Sequence, residues 1–204
     1  MRQKLYLYPK FERFWHWAQA LLIIFLLLTG FEIHGSFKIW GFEKAYLLHV
    51  YLGFSLIGLT LFAIFWHLTT GAWRHYWPVK EKLPQICYYY AVGIFRGEPH
   101  PFEKRPDQKL NPLQRLAYLF LKLFLYPGQM ITGVLLFLYP WWLALGIKKT
   151  FPGVVYWHMI GAFAFLFFLI IHVYLTTTGK PWYSHIRGMI LGWEEYEESS
   201  SKFV

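Results

Sequence analysis

The 204 residues are 56% hydrophobic and 23% aromatic with only 15% charged, which is too apolar for an ordinary soluble domain of this length. The formal net charge of +9 does not point to nucleic acid, because the basic residues sort by chain topology rather than gathering on one segment. One cysteine, Cys87, excludes a disulfide within the chain.

Four apolar stretches account for the composition: Phe14 to His34, Leu47 to Thr69, Leu113 to Leu138 and Val154 to Thr177. A helix needs about 20 apolar residues to cross a hydrocarbon core of about 30 Å. None of the four shows two-residue alternation, and in lipid only helices and closed barrels satisfy their own backbone. The expected fold is therefore all-α, an integral membrane four-helix bundle forming a single domain over residues 1–204. The first stretch is expected to be a retained helix, since it is longer and more aromatic than a signal peptide and no small-residue cleavage pattern follows it.

With four spans, both termini and the middle loop share one side. That side carries fifteen basic residues, from Arg2 to Lys202, against Lys38, Lys44, Lys148 and Lys149 on the other. The positive-inside rule then puts both termini in the cytoplasm. Lys122 is left within the third span, where it is expected to snorkel inward, and Pro127-Gly128 is expected to kink the same helix. The outer loops, Gly35 to Tyr46 and Tyr139 to Gly153, are short. The inner loop, Gly71 to Asn111, is long and holds Pro78, Pro84, Pro99, Pro101 and Pro106. Gln85 to Phe95 and Pro181 to Trp193 are too short to span and suit helices lying in the headgroup region. Glu194, Glu195, Glu197 and Glu198 read as a solvated acidic tail.

Histidines within a bilayer are expensive and usually functional. His16, His49, His67, His158 and His172 fall in or at the edge of the spans. His158 and His172 are fourteen residues apart, which returns them to within about 40° of one helix face and separates them by about 21 Å along the axis. Two imidazoles at two depths suit two stacked haems and not one metal ion, whose ligands must converge. His49 opens the second span at the outer level of His158, and His16 opens the first at the inner level of His172. The expected pairs are thus His49 with His158 and His16 with His172, each iron having two axial imidazoles and no open position. With no Cys-x-x-Cys-His motif, the two haem b groups would be non-covalent. His67 shares the face of His49 but lies about 27 Å along the axis, beyond the inner level, and suits a surface or haem-propionate role. Arg13 and Arg115 suit haem propionates or, more plainly, the positive-inside pattern. His34, His75, His100 and His185 read as solvated.

A repeated pattern runs through the chain. Thr29-Gly30 and Thr132-Gly133 fall late in the first and third spans. His49 precedes Gly53 and His158 precedes Gly161. Glycines there leave room for a flat macrocycle or simply let helices pack closely.

Five segments carry a resemblance. They are Arg13 to Trp17 (RFWHW), Leu47 to Gly53 (LLHVYLG), Lys109 to Arg115 (KLNPLQR), His158 with Ile171 to Tyr174 (IHVY), and His185 to Gly192 (HIRGMILG). In this order the chain resembles the di-haem membrane cytochrome b family. That family includes the cytochrome b subunits of formate dehydrogenase, nickel–iron hydrogenase and thiosulfate reductase. Gly97 to Pro101 (GEPHP) makes the last type the nearest in look, and the whole is cytochrome b561-like. The resemblance implies haem iron ligation by His16, His49, His158 and His172, and a quinone pocket involving Asn111 and Gln114. For Asn111 the residues themselves also predict a helix N-cap followed by proline.

The resemblance further implies a subunit of a respiratory oxidoreductase rather than a complete enzyme, with no catalytic residue of its own. It would sit in a bacterial or archaeal cytoplasmic membrane. There it would pass electrons between menaquinone or ubiquinone and a periplasmic iron–sulfur or multihaem cytochrome subunit. The alternatives are a stand-alone cytochrome b561-type oxidoreductase acting on a small soluble reductant or superoxide, and a haem-free transporter or anchor.

Overall fold

The computed structural model describes residues 2–102, 108–146, 148–179 and 181–197. Lys104, Arg105, Pro106, Lys180, Glu198 and Lys202, used above, lie outside the described residues.

Among the described residues four helices are long and apolar enough to cross a membrane: α1 (Lys10–Ile33), α2 (Phe42–Thr70), the third span (Pro112–Phe137) and α7 (Phe151–Thr176). The third span comprises α4 (Pro112–Phe120), a π turn (Leu121–Leu125) and α5 (Tyr126–Phe137). The helices α1 and α2 are longer than their apolar runs because polar residues extend them beyond the hydrocarbon. In α1 these are Lys10, Glu12 and Arg13. At 1.5 Å per residue the spans measure about 36–44 Å, enough to cross a core of about 30 Å with the ends in the headgroups. Leu61, Phe65, Phe124 and Phe167 are all more than 60% exposed on these helices, as residues facing lipid must be.

Two compact units are distinguishable. The larger comprises Trp15–Gly71 and Phe120–Ile171 and contains most of the spanning segments. Its buried centre is Leu56, Leu121, Tyr126 and Phe165, with Leu22, Ile23, Leu26 and Phe168 packed around it, so every span contributes. Tyr126 meets Phe165 edge-on at 5.1 Å between ring centres. The outer loop after α1 is tied down by Glu32, whose Oε1 accepts the backbone N–H groups of Ile39, Trp40 and Gly41 at 2.7–2.8 Å. Three converging amides make an anion-binding concavity, which lets a carboxylate stay only 5% exposed.

The other unit comprises Met1–Phe14, Ala72–Leu119 and His172–Val204. It holds α3 (Leu83–Ala91), α8 (Ser184–Leu191) and two 3-10 turns, Ala72–Tyr76 and Gly93–Arg96. The two short helices fall in the segments expected to lie at the membrane surface. The expected acidic tail is corrected here. β1 (Arg2–Tyr6) and β2 (Trp193–Glu197) form an antiparallel ribbon, pairing Arg2 with Glu197 and Tyr6 with Trp193. Glu194 accepts from Tyr8 Oη at 3.3 Å and lies 3.4 Å from His185 Nδ1. Residues 193–197 are a strand because β1 offers them a partner from early in the chain, a pairing that local composition does not reveal, and Glu198 lies outside the described residues. Gly192 sets the corner. Its φ of +89° ends α8, and an added Cβ would meet the Tyr6 ring at 2.7 Å.

Candidate functional site

The repeated Thr-Gly pairs meet the repeated histidines inside the larger unit. Thr29 lies on α1 and gives its hydroxyl hydrogen to its own helix, with Phe25 O at 2.8 Å and Leu26 O at 3.2 Å. Its Oγ1 stands 2.9 Å from His49 Nδ1 on α2. With the hydroxyl hydrogen spent, the hydrogen between them belongs to the imidazole. Nδ1–H donates, and Nε2 keeps its lone pair. The neighbouring Gly30 lets the ring lie close, since a Cβ there would meet His49 Cε1 at 3.2 Å.

The same device recurs between the third span and α7. Thr132 donates to Gly128 O at 2.7 Å and accepts from His158 Nδ1 at 3.0 Å. A Cβ on Gly133 would meet His158 Cε1 at 3.2 Å. The rings of His49 and His158 then face each other, 6.2 Å between centres and 76° between planes. Both are half-buried and both are held by Nδ1, which leaves Nε2 of each as the nitrogen able to ligate a metal. Two metal–imidazole bonds of about 2 Å, with half a ring behind each, separate ring centres by about 6 Å. The donor set and spacing therefore fit one iron with two axial imidazoles. Gly53 has nothing within 4 Å of its added Cβ, so it serves open space beside the helix and not close packing. At Gly161 the Gln129 side chain fills the space instead, and Gln129 Nε2 donates to His158 Nε2 at 3.3 Å.

His16 lies on α1, edge-on to Trp17 at 5.2 Å. His172 is half-buried on α7, in the segment that belongs to the other unit, so each is placed in its own setting. The surface role for His67 is corrected, since the residue is only 7% exposed. Its Nδ1–H donates to Ala63 O at 2.6 Å, and Trp15 and Trp66 pack edge-on at 5.1 and 5.2 Å. Trp15 reaches the ring from α1, and Trp66 is its sequence neighbour on α2.

In the second unit Asn111 and Gln114 form a reciprocal cap at the start of the third span. Asn111 Oδ1 accepts from Gln114 N at 2.8 Å, and Gln114 Oε1 accepts from Asn111 N at 3.0 Å. Asn111 Nδ2 also donates to Tyr90 Oη at 3.1 Å. Burial is the main reason the Tyr90 hydroxyl is held above its ordinary pKa, so it stays protonated. Arg115 is only 6% exposed and donates through Nε to Leu110 O at 3.0 Å and through Nη1 to Trp77 O at 3.3 Å. With Trp73, Arg74 and Trp77 it lines a pocket of about 430 Å³, within the range of ligand sites. Arg13 donates through Nη1 to Ile190 O at 2.6 Å, while its buried Nε has no hydrogen-bond partner among the described residues. The sequence reading missed Thr29 and Thr132 as partners of the histidines. The repeated Thr-Gly pairs were the available signal.

Four apolar spans enclosing opposed, Nδ1-anchored histidines define the class: a multi-pass membrane cytochrome that carries haem b and transfers electrons. The family model for prokaryotic cytochrome b561 matches residues 7–192, and the chain belongs to that family. It is 34% identical over 207 residues to the Escherichia coli (strain K12) protein named "Putative cytochrome YdhU", covering 95% of this chain and 76% of that one. No solved structure matches the chain significantly.

Proposed function

We propose that the chain is the quinone-reactive subunit of a respiratory oxidoreductase, relaying electrons across the membrane between a quinone and a periplasmic iron–sulfur or multihaem partner. The carrying observation is the opposed pair His49 and His158, each with Nδ1 committed to a threonine. In this reading His49 and His158 hold the outer haem and His16 and His172 the inner one. Bound haem supplies reversible one-electron chemistry at an iron with no open coordination position. The protein's own part is to fix ligand tautomers, exclude water and set the two levels. Fourteen residues on one helix separate those levels by about 21 Å.

Arg13 and Arg115 are proposed to face haem propionates; the buried Nε of Arg13 supports this. Menaquinone or ubiquinone is proposed to bind beside Asn111 and Gln114. The nearby pocket of Trp73, Arg74, Trp77 and Arg115 joins aromatic walls to two guanidinium donors, which suits a flat ring bearing two oxygens. With the termini cytoplasmic, protons would be exchanged on that side.

The test is haem content after single replacements. His158→Ala is expected to leave one haem per chain and His172→Ala the other, with quinone reactivity lost only in the second. Two haems retained in the His158 variant would sink the pairing. Co-purification of an iron–sulfur or multihaem subunit supports the complex, while a chain active alone on a small reductant supports the stand-alone reading.

A further inference from the structure

The inner loop holds a histidine between two prolines, in Glu98-Pro99-His100-Pro101. A residue before proline is pushed towards an extended backbone, which applies to both Glu98 and His100. Gly97, at a φ of +69°, ends the 3-10 turn Gly93–Arg96, and Glu98 N donates to Gly93 O at 3.0 Å. Lys82 Nζ donates to Pro101 O at 3.4 Å. This stiff segment returns to α3 and sets His100 against Tyr90, ten residues earlier, with ring centres 5.6 Å apart.

Three side chains of the second unit then form a line of hydrogen bonds. Asn111 Oδ1 is spent on the cap, so its amide Nδ2 donates to Tyr90 Oη at 3.1 Å. Tyr90 Oη accepts on that side, which leaves its own hydrogen for His100 Nε2 at 3.2 Å. Phe102 offers His100 Nδ1 a carbonyl at 3.0 Å and an N–H at 3.1 Å. The ring is therefore satisfied as either tautomer and as the cation. When it is charged, Tyr90 Oη accepts from both neighbours and its hydrogen is released for a third group. Exposure falls along the line, from exposed His100 through half-buried Tyr90 to Asn111 at 2%. Other titratable groups face it. Tyr89 meets the His100 ring edge-on at 4.7 Å and shares the wall of a cavity of about 370 Å³ with Glu98. Tyr118 of the third span couples electrostatically to Tyr90, and Lys82 is held at Pro101.

Resting on the reading of Asn111 as part of the quinone site, we infer that His100 and Tyr90 relay protons between the aqueous phase and the quinone. Reducing a quinone takes two protons and two electrons, the latter available from haem b one at a time. In each transfer the Nε2–H of charged His100 passes to Tyr90 Oη while Tyr90 gives its hydroxyl hydrogen to a quinone oxygen. Tyr90 ends unchanged, the imidazole is left neutral with Nδ1–H on Phe102 O, and water returns a proton to Nε2. Quinol oxidation runs the same steps backwards. Imidazole suits the task because its ordinary titration falls between about pH 5 and 8. Burial keeps the Tyr90 hydroxyl protonated between transfers.

The experiment mixes the purified full chain, its haems chemically reduced, with short-chain ubiquinone and menaquinone analogues in turn. Haem oxidation is followed in the visible bands, with haem content measured alongside. His100→Ala is expected to keep its haem and slow oxidation about a hundredfold, the low end of what a positioned acid–base group contributes. Added imidazole should raise that rate in proportion to its concentration, which a packing defect would not show. Tyr90→Phe should be as slow, with no rescue by imidazole. Should His100→Ala fail to assemble, His100→Gln serves in the same measurements. A wild-type rate in the His100 variant, or a slow rate that imidazole leaves unchanged, would overturn the relay alone. Wild-type haems untouched by either quinone, or full-rate oxidation in Asn111→Ala, would overturn the quinone reading beneath it.

Discussion

At the scale of single residues, the site depends on which nitrogen of each imidazole is committed. Thr29 and Thr132 decide this by spending their hydroxyl hydrogens on their own helices and accepting from Nδ1. Removing such an outer partner typically costs 10–100-fold in metal affinity, so Thr132→Val is expected to weaken haem binding at the His49–His158 level by about that factor. Gly133→Val should be more severe, because even a Cβ stands 3.2 Å from His158 Cε1. Haem titration into apoprotein, read in the visible spectrum, measures both. Equal loss at the two haem levels would contradict the local effect. The repeated Thr-Gly pairs were legible in the sequence, but their acceptor role was not. It arises where residues 20 and 26 positions apart come into contact.

At the scale of elements, the start of the third span is closed by the reciprocal bonds of Asn111 and Gln114. This separates a capping role from a quinone role. Asn111→Ala removes the cap acceptor and is expected to cost about 1 kcal/mol, seen as a lower thermal midpoint in detergent. Asn111→Ser keeps a cap acceptor while losing the donor to Tyr90, and is expected to melt close to the wild type. Quinone turnover should fall in both with both haems retained. Full turnover in the serine variant would leave Asn111 with the cap alone. The helix start was readable, since Asn before Pro with Gln three residues on is a local pattern. The π turn over Leu121–Leu125 was not, although Pro127 announced a disturbance. How a helix absorbs a missing N–H depends on what packs around it.

At the scale of the whole molecule, β1 before the first span pairs with β2 after the fourth, which agrees with an even number of spans placing both segments on one side of the membrane. From the bias of basic residues we propose that this side is cytoplasmic. Cys87 tests this without any engineering, because it is exposed on α3 in the loop between the second and third spans. A membrane-impermeant maleimide should label it in inverted vesicles and not in intact cells. Labelling in intact cells would reverse the orientation.

Span number and their approximate ends were determined by the sequence alone. Hydropathy and helical rise are local properties that lipid enforces segment by segment. The tertiary structure decided the tautomers of His49 and His158, the burial of His67 against Trp15, the carboxylate nest of Glu32 and the strand pairing of Trp193–Glu197. Each of these is set by a group brought in from elsewhere in the chain. A buried polar atom takes whatever partner the fold delivers, and hydrophobic periodicity records where a side chain lies but not what it meets.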